Sequence, residues 1–156
     1  MATRRWLGKA KDVTQVNTVT IALTWATADT ITITIDGIDF VVTIGSLVTT
    51  AQVATTLKEA FNGSTLTDTT AASSPTIAQG GAQAIPQLAE FTATVSGSVV
   101  TLTANTSGKP ITITVTEVTA GTGTATGAVA TVATGKNFFS NADNWSGDTV
   151  PIDNDT

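Results

Sequence analysis

The sequence predicts an α+β fold that is mostly β, with antiparallel sheet and one amphipathic helix packed on one face. Long runs such as Thr30–Ile35 alternate threonine with a β-branched apolar residue, which is typical of half-buried strands. Residues 49–62 change to the 3.6-residue period of a helix. Because strand patterns stand on both sides of this helix, we expect it to lie against one face of a mostly antiparallel sheet.

The first part of the chain is predicted to supply three strands. The first covers 13–25, and alternation resumes over 29–35 and 38–44. Asp36-Gly37 stands between the last two and fits a two-residue type I′ turn, in which both residues have positive φ. The sequence therefore predicts a β-hairpin here. The alternating apolar residues of the first strand are Val19, Ile21, Leu23 and Trp25.

The predicted helix has signals at both of its ends. Thr49 and Gln52 have the spacing of a capping box, and Gly63 stands where a C′ glycine ends a helix. Lys58 and Glu59 fall on the opposite side of the helix and are expected to face solvent. The apolar face consists of Val53, Leu57, Ala60 and Phe61.

The pattern of strands returns after a long loop. Residues 64–87 are rich in Thr, Ala, Ser, Gly and Pro, which predicts a surface loop with at most a short element. Alternation then covers 90–96, 99–104 and 111–118, which predicts a meander of three strands. The α+β domain accordingly spans 13–118.

Both ends of the chain differ from this domain. Residues 1–12 form a basic N-terminal arm that contains four of the seven Lys and Arg residues. Residues 119–135 are a Thr/Ala/Gly tract that fits either a linker or a weak strand. Residues 136–156 are Asn-rich and carry three of the eight aromatic residues, which indicates a docking segment or a second module. Those three are Phe138, Phe139 and Trp145.

The available residue types argue against an enzyme. The chain has no His, Cys or Tyr, so general acid–base chemistry would depend on carboxylates alone. Asp29 and Asp36 are explained by predicted turns, and the pattern places no carboxylate pair in a common cleft.

We expect no cofactor, and calcium is the one metal worth weighing. The spacing of the oxygen ligands matches no EF-hand loop, and a solvated acidic terminus is the simpler interpretation. The candidate ligands are Asp143, Asn144, Asp148, Asp153, Asn154 and Asp155.

Charge and hydropathy limit the partners. A net charge of -5 argues against nucleic acid as the main partner, and the basic arm is more simply a solvated or docking tail. No apolar run approaches the roughly 18 residues that span a bilayer, so we expect no membrane partner. Arg4-Arg5 is followed by Lys9, Lys11 and Asp12 where a signal peptide would be apolar, so we expect no export signal.

Three stretches together resemble a known structural module. The hairpin starts with Ala28-Asp29-Thr30, the helix of 50–62 reads TAQVATTLKEAFN, and 92–115 reads TATVSGSVVTLTANTSGKPITITV. Over 18–118 this combination resembles a module that recurs in tail, neck, fibre and head-associated proteins of bacteriophage virions. The resemblance implies a structural role within a virion, since none of its motifs is catalytic.

A second resemblance covers the C-terminal segment. Residues 139–151 read FSNADNWSGDTVP, which resembles the entry to the first coil of extracellular right-handed β-helix proteins. Asp148 stands where that pattern has a second glycine. A single coil cannot bury its own apolar face, so we expect a shortened fibre or a docking peg that needs a partner surface.

These features predict a non-enzymatic virion structural protein, either a capsid- or tail-attached adaptor or decoration protein or a fibre base. The expected partners are further copies in a homo-oligomer, with a trimer as one arrangement, and other virion proteins. Two alternatives stay open: a glycan-binding adhesin module that uses Trp25 and the 64–87 loop, and a β-helix enzyme whose catalytic part is missing. The predicted partner-docking residues are Arg4, Arg5, Trp6, Phe138, Phe139 and Trp145.

Overall fold

The computed structural model describes residues 4–45, 49–64, 72–73 and 86–151, which form two antiparallel sheets of four strands each and one α-helix. This confirms the predicted class, α+β and mostly β. The elements are β1 (Val16–Ala22), β2 (Thr30–Ile35), β3 (Ile38–Ile44), α1 (Thr50–Phe61), β4 (Ala72–Ser73), β5 (Phe91–Ser96), β6 (Val99–Ala104), β7 (Ile113–Val118) and β8 (Thr124–Thr131).

The two sheets share one apolar core with the helix. Sheet I has the strand order β5-β6-β1-β8, and sheet II has the order β4-β3-β2-β7. Helix α1 packs against β1, β5 and β6 of sheet I and against β3 of sheet II, so it lies between the sheets. The largest side chains that are fully buried in this core include Trp25, Phe40, Phe61, Phe91 and Leu102.

The local signals of the hairpin and the helix are confirmed. Asp36 and Gly37 have φ values of 47° and 83°, and Ile35 pairs with Ile38 across the turn. The N–H of Gln52 donates to the Thr49 hydroxyl, and the Thr49 N–H donates to Gln52 Oε1, which completes the capping box. These elements depend only on neighbouring residues, which is why the sequence predicts them well.

The first strand is shorter than predicted. It ends at Ala22, because Leu23 takes a φ of 61° and turns its side chain to solvent. Trp25 then folds back, is fully buried, and donates from Nε1 to the Ala22 carbonyl at 3.0 Å. The alternating segment 13–25 therefore contains a strand that ends at Ala22, a kink at Leu23, and Trp25 in the core.

The predicted meander of three strands is wrong. β5 and β6 form a hairpin, but β7 crosses to sheet II and pairs with β2. Gln15 fixes the crossing point, since its Oε1 accepts from the Ile111 N–H and its Nε2 donates to the Ile111 carbonyl. Asp36 then bonds both backbone groups of Thr112 at 3.0 Å and aligns β7 with β2.

Exposure of the helix also differs from the prediction. Glu59 was expected in solvent, but its side chain is buried, and Lys58 is half-buried. The reason is the position of α1 between two sheets, which buries a wider arc than a helix on one outer face would bury. Within the described residues, no helix is long and apolar enough to cross a membrane.

Two uncertain regions have different outcomes. Residues 119–135, which fitted a linker or a weak strand, contain β8, and β8 pairs along the whole of β1. Its pattern was weak because Ala125 is its one buried residue. Most of the predicted 64–87 loop lies outside the described residues; the two-residue β4 falls within it and pairs with the end of β3.

Candidate interaction surface

The N-terminal arm and the C-terminal segment pair with each other. Antiparallel bridges join Trp6 to Trp145 and Val13 to Thr134. The Leu7 N–H donates to the Asn144 carbonyl at 2.6 Å, and the Ser146 N–H donates to the Arg5 carbonyl at 2.9 Å. We call this paired unit, residues 4–13 with 133–148, the terminal clasp.

Asn144 lies at the centre of the terminal clasp and is fully buried. Its Oδ1 accepts from the Ala10 N–H at 2.9 Å, and its Nδ2 donates to the carbonyls of Gly135 and Phe138 at 2.8 and 3.0 Å. One side chain therefore satisfies three backbone groups from both ends of the chain. Asn144 is the last residue of a short 3₁₀ turn, Ala142–Asn144. Asn141 caps this turn, because its Oδ1 accepts from the Asp143 N–H.

Three aromatic rings of the clasp form a cluster that we call the aromatic patch: Trp6, Phe139 and Trp145. Trp145 packs edge-on against both other rings, with centroids 5.1 Å from Trp6 and 4.7 Å from Phe139. Its Nε1 donates to the Phe139 carbonyl at 2.9 Å. Trp145 is only 8% exposed, while Trp6 is 41% and Phe139 is 60% exposed. Trp145 is thus the base of the patch, and the other two rings form its surface.

Two of the four basic residues of the arm contact groups of the C-terminal segment through their side chains. Arg4 donates to the Ser146 carbonyl, and Lys9 lies 3.0 Å from the Asp148 carboxylate. Lys136 in turn lies 3.5 Å from Asp12 of the arm. The two ion pairs are largely exposed to solvent and contribute little stability individually. They do show that the arm is a folded part of the clasp.

The structure brings the predicted docking residues together at the clasp. Their role in docking stays a prediction, because their observed contacts are with each other and with the clasp backbone. Sequence reasoning missed Asn144 as the central residue, and only the Asn-x-Asp turn at Asn141 hinted at local order there. The six residues are Arg4, Arg5, Trp6, Phe138, Phe139 and Trp145.

The Trp25 side chain is not exposed on the surface of the protein. It is fully buried in the main core, so the predicted glycan platform built on Trp25 is wrong. The alternation that made Trp25 look like the last residue of a strand conceals the kink at Leu23, which sends the indole inward. An exposed ring for stacking exists instead in the aromatic patch.

Most carboxylates of the described residues have structural partners. Asp29 is buried and accepts from the Ala120 and Ala26 N–H groups at 2.8 and 2.7 Å. Among the described parts of the chain, no group of three acidic residues is placed to hold a metal ion. Of the predicted calcium ligands, Asn144 uses its side chain within the clasp, Asp148 faces Lys9, and the last three lie outside the described residues.

No protein-family model matches the chain, and no curated protein matches it.

Proposed function

We propose that this protein is a non-enzymatic structural protein of a bacteriophage-type virion, an adaptor or decoration protein of capsid or tail or a fibre base, that docks on its neighbours through the aromatic patch. The observation that carries this proposal is the exposure of Trp6 and Phe139 on a folded clasp. Assignment to a virion depends on the resemblance of 18–118 to virion modules.

Two physical arguments support docking at the patch. Large aromatic side chains provide much of the binding energy in protein interfaces, because each buries a large apolar area. The rings are also held in place before binding, since Trp145 packs against both and Asn144 fixes the backbone beneath them. Side chains that are already ordered lose less conformational entropy when a partner covers them.

A glycan-binding module of a fibre is the second candidate. The Trp6 and Phe139 rings are nearly parallel, with an interplanar angle of 13° and centroids 6.3 Å apart. Exposed aromatic faces of this kind can pack against the apolar faces of sugar rings. Retardation of the purified protein on a glycan column, lost on Phe139→Ser, would favour this candidate over assembly.

Incorporation into particles tests the proposal. The tagged protein and its Phe139→Ser variant are produced in cells that assemble the phage encoding the chain, and purified particles are assayed for the tag. We expect incorporation of the parent protein and at least a tenfold loss for the variant. Leu23→Asn is the matched control, because it removes another exposed apolar side chain at a site whose φ of 61° suits asparagine. Particles that lack the parent protein would overturn the proposal.

A further inference from the structure

β8 is the most exposed strand of the described residues. All seven residues from Thr126 to Val132 are exposed, and β8 stands at the edge of sheet I, where β1 is the one described strand that hydrogen-bonds to it. An edge strand presents a row of backbone N–H and C=O groups that can pair with another strand. Its length of eight residues corresponds to roughly 27 Å of extended backbone.

β8 lacks the charged and proline residues that usually protect an edge, and its one irregularity is a bulge near its C-terminal end, opposite Val16 and Asn17. The sequence has no charged residue and no proline between Glu117 and Lys136. Lysine and proline are the residues that natural proteins commonly use to prevent edge-to-edge pairing. The opposite edge of the same sheet is blocked, because Asn62 at the end of α1 donates to the Ala93 carbonyl at 2.7 Å and accepts from the Ala93 N–H at 2.9 Å. The difference between the two edges indicates that β8 is the edge left open for a partner.

A groove beside β8 contains a side-chain donor that a partner could use. It has a volume of about 280 Å³ and lies between β1, β8 and β7, where Gly127 comes close to Val115. Asn17 lines this groove and is only 3% exposed. Its Oδ1 accepts from Gln15 Nε2, while none of the described residues accepts from its Nδ2. This Nδ2 is not closed off within the protein, so it offers a donor in the groove to an incoming carbonyl or hydroxyl.

We propose that the occupant is a second copy of this chain, with the two β8 strands paired antiparallel across a two-fold axis so that sheet I continues from one copy into the other. The proposal deepens the assembly role proposed above and concerns a surface separate from the aromatic patch. This two-fold arrangement would also bring the two β7 strands side by side. The second copy would then cover Val118 and Val129, which are exposed in one chain.

Charge and symmetry favour a second copy over another protein. Two chains of net charge -5 repel each other over most of their surface, but the 118–135 segment carries no charge and allows close approach. An antiparallel pair of identical strands is self-complementary, as a two-fold interface requires. Pairing of eight residues supplies about eight backbone hydrogen bonds, close to the number of direct hydrogen bonds in a typical interface.

Sedimentation equilibrium of the full chain tests the proposal. We expect the parent protein to have twice the mass of one chain at high concentration, and Ala128→Lys to raise the dimer dissociation constant about tenfold or more. The reason is that pairing about the middle of β8 puts residue 128 opposite or diagonal to residue 128 of the other copy. Thr94→Lys is the matched control, since Thr94 is an exposed residue of β5 at the blocked edge, and it should leave the mass unchanged.

A charge-reversal pair distinguishes repulsion from unfolding. Ala128→Lys mixed with Ala128→Glu should restore the double mass, because the two variants attract across the axis, whereas misfolded chains would not recover. A monomeric parent protein, a trimer, or equal effects of the two Lys variants would overturn β8 pairing. Phe139→Ser should keep the double mass, because the aromatic patch is separate from β8. The Phe139 variant therefore tests docking at the patch, and the Ala128 variants test β8 pairing.

Discussion

Asn144 shows how a single residue can determine the arrangement of two chain ends. Its amide bonds three backbone groups, one from the arm and two from the C-terminal segment, at a site that excludes water. Its own carbonyl also accepts from the Leu7 N–H, so both sides of the clasp meet at this residue. The predicted docking aromatics depend on it for their position.

We expect Asn144→Ala to open the terminal clasp. The substitution leaves three buried backbone groups without a partner, at roughly 1–3 kcal/mol for each such group, so we expect the clasp to lose at least ~2 kcal/mol. Hydrogen exchange of the Ala10 and Leu7 amides measures this loss directly. Asn141→Ala is the matched control in the same segment, because its one side-chain bond is exposed, and it should change exchange little. Protection that survives Asn144→Ala would contradict the role assigned to this residue.

At the scale of elements, α1 illustrates a structure that local sequence determines. Replacing Thr49 with alanine removes the hydroxyl that accepts from the Gln52 N–H, which should destabilise the protein by about 0.5–2 kcal/mol. Urea denaturation monitored by circular dichroism gives the free energy of unfolding. The same substitution at Thr50, one position later, leaves the capping box in place and should have a much smaller effect. Equal effects at the two sites would mean that the cap adds nothing beyond loss of the threonine side chain.

The elements that the sequence predicts are those with local causes. The type I′ turn depends on two adjacent residues with positive φ, and the helix start depends on Thr49 and Gln52. The partner of β7 has no such cause, because alternation of Thr and Ile reads the same in either sheet. The choice is made by Gln15, which is distant in sequence and bonds Ile111 at the crossing point.

The candidate site was predictable in part for the same physical reason. The aromatic residues of the two ends stand out by composition, so Trp6, Phe139 and Trp145 could be selected from the sequence. Their contact with each other could not, because it depends on backbone pairing between residues separated by more than 130 positions. The open edge at β8 was missed since exposure on both faces produces no alternation at all.

At the scale of the whole molecule, the chain has two structural units of unequal size. The main core contains apolar residues from Val19 to Ala125 and none from the clasp. The clasp has its own small aromatic cluster. It joins the sandwich of sheets I and II through β1 and β8, because the arm leads into β1 and β8 leads into the C-terminal segment. The aromatic patch and the β8 edge therefore belong to adjacent but separable parts of the molecule, which suits a protein that contacts more than one neighbour.

This division predicts that the arm can be removed without loss of the sandwich. Deletion of residues 1–11 should keep the far-ultraviolet circular dichroism of the sheets, because the main core has no residue before Val19. Trp145 loses Trp6 and the backbone pairing of Arg5 and Leu7, so its indole should become exposed.

Acrylamide quenching of tryptophan fluorescence measures the exposure of Trp145 in the deleted chain. Trp25 is fully buried and serves as an internal reference, so one of the two remaining tryptophans should be quenched and one should not. Trp6→Ala in the full chain is the control, since it keeps the backbone pairing of the clasp and should expose Trp145 less. Loss of the circular-dichroism signal of the sheets on deletion would mean that the two sheets need the arm in order to fold. An unquenched Trp145 would instead mean that the C-terminal segment holds its fold alone, and the aromatic patch would then depend on the arm only for the ring of Trp6.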